Sequence, residues 1–374
     1  MRGVHGAPAI IECMETTPSA DEVALVSFNV FTQLSGAVTA GMIHLGDRLG
    51  LYRSLADAAH PYTSAELATS TGLDERWVRE WLHNQAAAQL IEVDTAGSDD
   101  RFSLTPAAVA VFADPDHPAF GMGMFHRLPE TIAALEAMPE AFRTGLGHDY
   151  DSHGEGGAVG IERSFEPWNR AHLIPTVLPA LDGVVDRLHA GADVADIGCG
   201  AGGAVLMMAE AFPESRFVGY DISQHALERA EARRCERGVS NARFVDPRRE
   251  PLPSDRTVDF VTTIDCIHDM AHPQGAVDAI GSALSDDGTW LLVDIKARDG
   301  LAANLEKNPM AALMYGISVL SCMSSALSEP DGAGLGTLGL HESLAREMAA
   351  SAGFQRFRRL DIDHSVNAFF EIRR

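Results

Sequence analysis

The chain has 374 residues, with 29 Lys+Arg against 53 Asp+Glu and a formal net charge of −24. Such acidity opposes sequence-independent binding to nucleic acid or to anionic membranes. The length allows two or three domains, and 46% hydrophobic residues suffices for buried cores. Cys13, Cys199, Cys235, Cys266 and Cys322 form no CxxC pair, which argues against a disulfide scaffold or zinc site and suits a reducing cytoplasm.

Residues 1–20 lack the apolar core of a secretory signal and read as a flexible tail. From Asp21 to Leu51 a helical pattern follows, with Val23, Leu25, Val26, Phe28, Val30, Phe31 and Leu34 covering more than one face. Such a helix is expected to pack beyond its own domain, most simply in a homodimer. Thr63 with Glu66 predicts a capping box, Gly72 ends that short helix, and Leu73 to Leu90 predicts a second. Short strands at 91–93 and 101–104 flank a turn, completing a winged-helix pattern. The second helix mixes Asp74, Glu75, Arg76, Arg79, Glu80 and His83, so it offers phosphates no basic face. A scaffold or dimerisation domain over 21–120 is expected rather than a DNA reader. Residues 121–185 read as linker helices and loops, with 145–160 glycine-rich loop and 161–189 helical. Residues 186–374 read as a third region with a helical cap at about 300–340. The uncharged stretch Met310–Leu327 carries four serines and reads as a buried or active-site helix, not a membrane span.

The whole chain is organised around Val194–Asp221. A short apolar strand runs into Gly198-Cys199-Gly200-Ala201-Gly202-Gly203, then a helix, then a second strand, Arg216–Tyr220, ending at Asp221. Glycines let the chain turn sharply and let a ligand approach main-chain N–H groups. An acid some twenty residues later can accept both ribose hydroxyls of a nucleoside. Gly198, Gly200 and Gly203 satisfy the dinucleotide pattern, so a dehydrogenase binding NAD is one alternative. Asp196 tips the choice, because a carboxylate before the turn repels a pyrophosphate and suits a cation, such as the ammonium of S-adenosylmethionine (SAM). Further strands at 242–245, 258–264 and 289–293 alternate with helices. They predict an α/β fold with a parallel sheet and its site at the strand C-termini.

These residues resemble a known family. From Gly46-Asp47-Arg48-Leu49-Gly50-Leu51-Tyr52 onward, the chain is similar to winged-helix SAM-dependent methyltransferases of the Rv2258c-like type. The motifs that carry the likeness are VADIGCGAGG, AFPESRFVGYDIS, DCIHDMAHPQGA and DGTWLLVD, with NPMAALMYGISVLSC matching in character. The resemblance implies a Rossmann-like class I methyltransferase domain behind a winged-helix dimerisation domain, as in plant-type O-methyltransferases. It implies SAM as cofactor and cofactor contacts at Asp196, Gly198, Cys199, Gly200, Gly202, Asp221, Ile222 and Asp265. The acid that usually meets adenine is replaced by Arg248, with Asp246 two residues earlier as a substitute. A His-Asp pair after strand four, here His268-Asp269, would supply the general base.

The reaction expected is methylation of a small, largely hydrophobic specialised metabolite on oxygen or carbon. His268 is the candidate base, with Asp265 touching the cofactor or orienting it, and Asp269 holding the imidazole's other nitrogen. Candidate acceptor contacts are Phe125, His126, Phe165, Trp168, Asn169, His172, Met314 and Tyr315. Glu166 between Phe165 and Trp168 suggests a carboxylate base beside aromatic rings that steady a carbocation, the chemistry of C-methylation. His126, Arg127, Arg163, Arg170 and His172 could then meet a prenyl diphosphate, and only then would Mg be required; no metal site is otherwise expected. A SAM-responsive winged-helix regulator is the alternative from another class.

Overall fold

In the computed structural model the described residues are 17–374, so Cys13 and most of the expected tail lie outside them. The first helix, Ala20–Arg48, begins with a capping box made by Ser19 and Glu22. Val23, Leu25, Val26, Phe28, Val30, Phe31 and Leu34 are each between 50% and 70% exposed. Only its C-terminal part packs: a Cβ on Gly46 would stand 2.5 Å from the Trp81 ring and 2.6 Å from that of Tyr52. By length and composition this is also the one described helix that could cross a membrane.

The winged-helix unit forms as the sequence predicts. Thr63 caps Ser64–Thr71, and Asp74 caps Glu75–Ala87. The wing is an antiparallel pair, β1 (Glu92–Asp94) with β2 (Arg101–Ser103). Leu67, Leu82, Phe102, Tyr52 and Met122 fill its core. On the second helix Arg76 pairs with Glu80 at 2.5 Å and Arg79 with Glu75 at 3.4 Å, so its cations are matched in place.

The C-terminal half holds a sheet of seven strands: β3 (Asp193–Ile197), β4 (Arg216–Tyr220), β5 (Ala242–Val245), β6 (Val258–Ile264), β7 (Leu284–Ile295), β8 (Arg356–Arg359) and β9 (Asn367–Arg373). Their order is β5-β4-β3-β6-β7-β9-β8, and β9 alone runs antiparallel to its neighbours. Strand order reverses between β3 and β6, which opens a crevice at the carboxyl ends there. Two apolar cores cover the sheet, one around Leu206, Met208 and Phe260, the other around Ile280, Trp290 and Ile372.

Two expectations in the linker need correction. Residues 154–160, read as glycine-rich loop, are the first turns of helix Gly154–His172. The glycines there serve close packing: a Cβ on Gly160 would stand 2.8 Å from Arg127 Cβ, and one on Gly123 would stand 2.3 Å from the Ser164 nitrogen. Bare backbone lets helix Met122–His126 press against this one, and that tertiary gain overrides glycine's poor helix propensity. The helix also does not run to His189. Pro175 falls in a π turn at Leu173–Val177 and Pro179 in a short 3-10 turn, before a new helix at Val184–Ala190.

Candidate active site

After β3 the chain turns over Gly198, Gly200 and Gly202, with φ of +70°, +53° and +74°. Crowding as well as conformation demands glycine at two of them. A Cβ on Gly198 would stand 2.5 Å from Cys266 Cβ, and one on Gly202 would stand 2.5 Å from the Phe244 ring. At Gly200 a Cβ would meet nothing within 4 Å, so this residue faces open space where a ligand can reach the backbone. Asp221, at the end of β4, is held from both sides. Its Oδ2 accepts the Gly200 N–H and its Oδ1 the Ser223 N–H, each at 2.8 Å. Lone pairs remain on both oxygens for a pair of vicinal hydroxyls.

Asp196 is buried, and its Oδ1 accepts the Thr262 hydroxyl at 2.5 Å. Burial pushes its carboxyl up to about 7, opposed by the Thr262 bond and helped by the nearby Asp221 charge. A cation set against it would restore the ionised form. Beyond β5, the Arg248 guanidinium bonds Asp246 through Nε at 2.9 Å and holds that carboxyl below its usual range. Arg248 also donates to the Ile222 carbonyl at 2.6 Å, and the Ile222 side chain is 42% exposed. The ten residues expected around a cofactor therefore stand at the carboxyl ends of β3 to β6.

Strand β6 is followed by Asp265, which has a φ of +51°, rare for a residue with a Cβ. Asn367 at the start of β9 donates to its Oδ2 at 2.6 Å, while Oδ1 is buried without a partner among the described residues. Burial, helped by the Asp294 charge, pushes this carboxyl up to about 7. A single 3-10 turn, Ile267–Asp269, then carries His268 inward until it is 3% exposed. Its Nδ1 lies 2.7 Å from Asp294 Oδ1. The register explains the meeting: Ile264 of β6 pairs with Val293 of β7, so the acids that follow them, Asp265 and Asp294, come side by side. Burial opposes charge on the imidazole, but the Asp294 carboxylate outweighs it and raises the His268 pKa well above normal. The Cys322 side chain also bonds the ring and adds to that rise.

Asp269 does not hold Nδ1, contrary to the expectation from the sequence; Asp294 does. Asp269 instead groups with Cys322 of the cap, their ligating atoms and a His268 ring nitrogen lying within 4.8 Å of one another. Burial pushes the Asp269 carboxyl up to about 7. Glu166 is also not a free base. Its Oε2 lies 2.6 Å from Arg233 and its Oε1 3.3 Å from Arg170, and Arg233 donates to the Ala201 carbonyl at 2.9 Å. Both of its oxygens are thus already engaged by guanidiniums. Glu166 braces helix Gly154–His172 against the glycine turn.

The expected acceptor contacts do not converge on one cavity. Phe125 packs on the winged-helix core, and His126 lies 3.0 Å from Arg163 in a separate cavity of about 600 Å³ beside Asp47 and Tyr52. The Trp168 ring stands 4.6 Å from both His172 and His364 and 5.5 Å from Phe369. Phe165 and Asn169 are half-buried on the same helix, while Met314 and the 37% exposed Tyr315 belong to the cap. Arg163 is matched by Asp47, and Arg170 by Asp116 and Glu166, so no diphosphate cradle forms from them. The chain reading missed the roles of Asp294, Cys322 and Asn367. Asp294 was within reach of inference, since it ends the strand that follows the one bearing Asp265.

Comparison with known proteins matches residues 188–337 to the family described as methyltransferase domain, and residues 37–112 to the Rv2258c-like winged HTH domain. A Bacillus subtilis (strain 168) protein named uncharacterized methyltransferase YcgJ is 34% identical over 102 residues, 27% of this chain and 40% of that one. The polyketide synthase ThaQ of Burkholderia thailandensis is 33% identical over 107 residues, 28% of this chain and 5% of its own length. The chain thus spans less than half the length of the curated relatives it matches. Among solved structures, human N-acetylserotonin methyltransferase in complex with SAM superposes with a TM-score of 0.67 at 16% identity, covering 96% of this chain and 99% of that one. The mitomycin 7-O-methyltransferase MmcR gives 0.66 at 20% identity, covering 95% and 100%. NcsB1 from neocarzinostatin biosynthesis, in complex with SAM and 2-hydroxy-5-methyl naphthoic acid, gives 0.59 at 16% identity, covering 90% and 95%.

Proposed function

We propose that this chain, which joins an Rv2258c-like winged-helix domain to a methyltransferase domain, methylates a small, largely hydrophobic metabolite with SAM as donor. One observation carries the reading: an open-faced glycine turn between two acids stands beside a buried His268–Asp294 pair at the same sheet edge. The residues present fit the cofactor, because Gly200 faces open space at the turn and Asp265 Oδ1 lacks a partner among the described residues. SAM, when bound, supplies an electrophilic methyl group on a sulfonium.

Asp196 and the glycine-turn N–H groups would face the amino-acid end, Asp221 the ribose, and Ile222 the adenine, with Asp246 and Arg248 at its rim. His268, in its singly protonated form, takes the acceptor's proton at Nε2 as the new bond forms, while Asp294 fixes the ring's tautomer and orientation. Alignment and exclusion of water do the rest. An oxygen acceptor is favoured over an alkene because both oxygens of Glu166 are taken up by arginines, whereas the His268–Asp294 pair is the arrangement of a base and the acid that orients it. The printed names of MmcR and NcsB1's ligand, a 7-O-methyltransferase and a hydroxynaphthoic acid, agree with a hydroxyl on a ring system. The apolar first helix supports a homodimer, and the free cysteines a cytoplasmic setting. Residues 21–120 would form the dimerisation domain, 121–185 the linker and 186–374 the catalytic domain.

Isothermal titration with S-adenosylhomocysteine and, separately, NAD tests the reading. Micromolar binding of the first and none of the second is expected. The reverse result would make the chain a dinucleotide enzyme instead.

A further inference from the structure

Helix Met122–His126 is followed by Arg127, which is 5% exposed. Every other buried or half-buried arginine around the linker has an acid: Arg163 has Asp47, Arg229 has Glu162, and Arg233 has Glu162 and Glu166. Arg127 has none within 4 Å among the described residues. Its partners are neutral hydroxyls, Nη2 to Ser321 Oγ at 3.1 Å and Nε to Thr131 Oγ1 at 3.4 Å, and Nη1 has no partner among the described residues. His153, which bonds Ser321 at 3.0 Å, supplies no compensating charge, since burial and Arg127 itself push its pKa down to about 4. A guanidinium taken from water without an anion is costly, and proteins keep such an arrangement where a ligand brings the anion.

The place is suggestive too. Arg127 lines a small cavity with Tyr150, His153, Gly157, Gly200 and Ser223, so it opens toward the free face of the glycine turn. Its partner Ser321 immediately precedes Cys322, which stands beside His268 and Asp269. Arg127 therefore lines a cavity beside the glycine turn, and its partner Ser321 is the chain neighbour of the cysteine beside His268.

We propose that Arg127 is the anion receptor of this cleft and binds a carboxylate of a ligand seated there. The inference rests on the methyltransferase reading. A carboxylate can come from two sources in that cleft: the amino-acid end of the cofactor or an acidic group on the methyl acceptor. Two charged oxygens match the guanidinium edge in either case.

The experiment compares wild type, R127M and R127K. S-adenosylhomocysteine and 5′-methylthioadenosine, which lacks the carboxylate, are titrated into each. Benzoate, 2-naphthoate and octanoate, each against its amide, are then titrated into the S-adenosylhomocysteine-loaded proteins. The cofactor source predicts that R127M loses at least tenfold in affinity for S-adenosylhomocysteine and nothing for methylthioadenosine. The acceptor source predicts equal cofactor affinity and at least tenfold loss for one of the acids, with its amide unaffected. R127K should recover part of either loss. Removing an unpaired buried charge should leave the melting temperature of the empty protein unchanged or higher, whereas a structural arginine would lower it. The proposal fails if neither carboxylate effect appears, and an R127M protein that also melts lower would mark Arg127 as structural. Failure of wild type to bind S-adenosylhomocysteine would instead remove the methyltransferase reading itself.

Discussion

The two sides of the cleft are built on different principles. On the glycine side, contacts are local: Asp196, Gly198 to Gly202 and Asp221 fall within one strand-turn-helix-strand unit, and backbone N–H groups orient the acid. On the histidine side, contacts are assembled from afar. His268 depends on Asp294, 26 residues later, and Asp265 on Asn367, 102 residues later.

Substitutions on each side can break that contrast. The largest effect is expected for H268A: turnover falls about 10³-fold on a hydroxyl acceptor while S-adenosylhomocysteine affinity stays within threefold. A parallel loss of cofactor affinity would merge the two sides. Asp196→Asn should cost about 100-fold in S-adenosylhomocysteine affinity, read by titration. The pH dependence follows from its raised carboxyl. The empty fold binds the proton more tightly than the unfolded chain, so this group's contribution to stability is present at low pH and is lost as pH rises from about 4 to 7. D196N should therefore melt no lower than wild type at pH 7.5. Wild-type cofactor affinity should drop as pH falls below about 7, and that of D196N should not.

D294N sharpens the other side. Without the carboxylate that raises its pKa, buried His268 titrates lower, so the rising limb of the rate profile should move to lower pH while the plateau falls about tenfold or more. An unmoved limb would separate Asp294 from the base. Gly202→Ala combines positive φ with a clash against Phe244 and should destabilise by about 1–3 kcal/mol in denaturant unfolding. Glu166→Gln is expected to change turnover less than threefold and to lower the melting temperature by a few degrees, as a brace does and a base does not.

What the chain disclosed before its structure follows the same division. The bounds of β5 and β6, the glycine turn and Asp221 could be read because each rests on neighbours in sequence, whereas β7 begins at Leu284 and not at 289. The parallel sheet could be read from alternation of strands and helices. Asp294 and Cys322 escaped because their roles exist only through strand register and the seating of the cap. Phe125, Trp168 and Tyr315 were read as one pocket because aromatic residues look alike in sequence, whether they pack a core or meet a ligand. Glycines 157 and 160 misled for a related reason: in a sequence, room for a neighbouring helix and freedom to turn carry the same letter.

The uncovered stripe from Val23 to Leu34 bears on how the protein behaves in a tube. In the homodimer proposed above, sheltering of that stripe would be governed by mass action, so resistance to heat would become a property of the sample's concentration. A dilute preparation would unfold at lower temperature than a concentrated one, and rates per mole of chain would sag on dilution and recover on reconcentration.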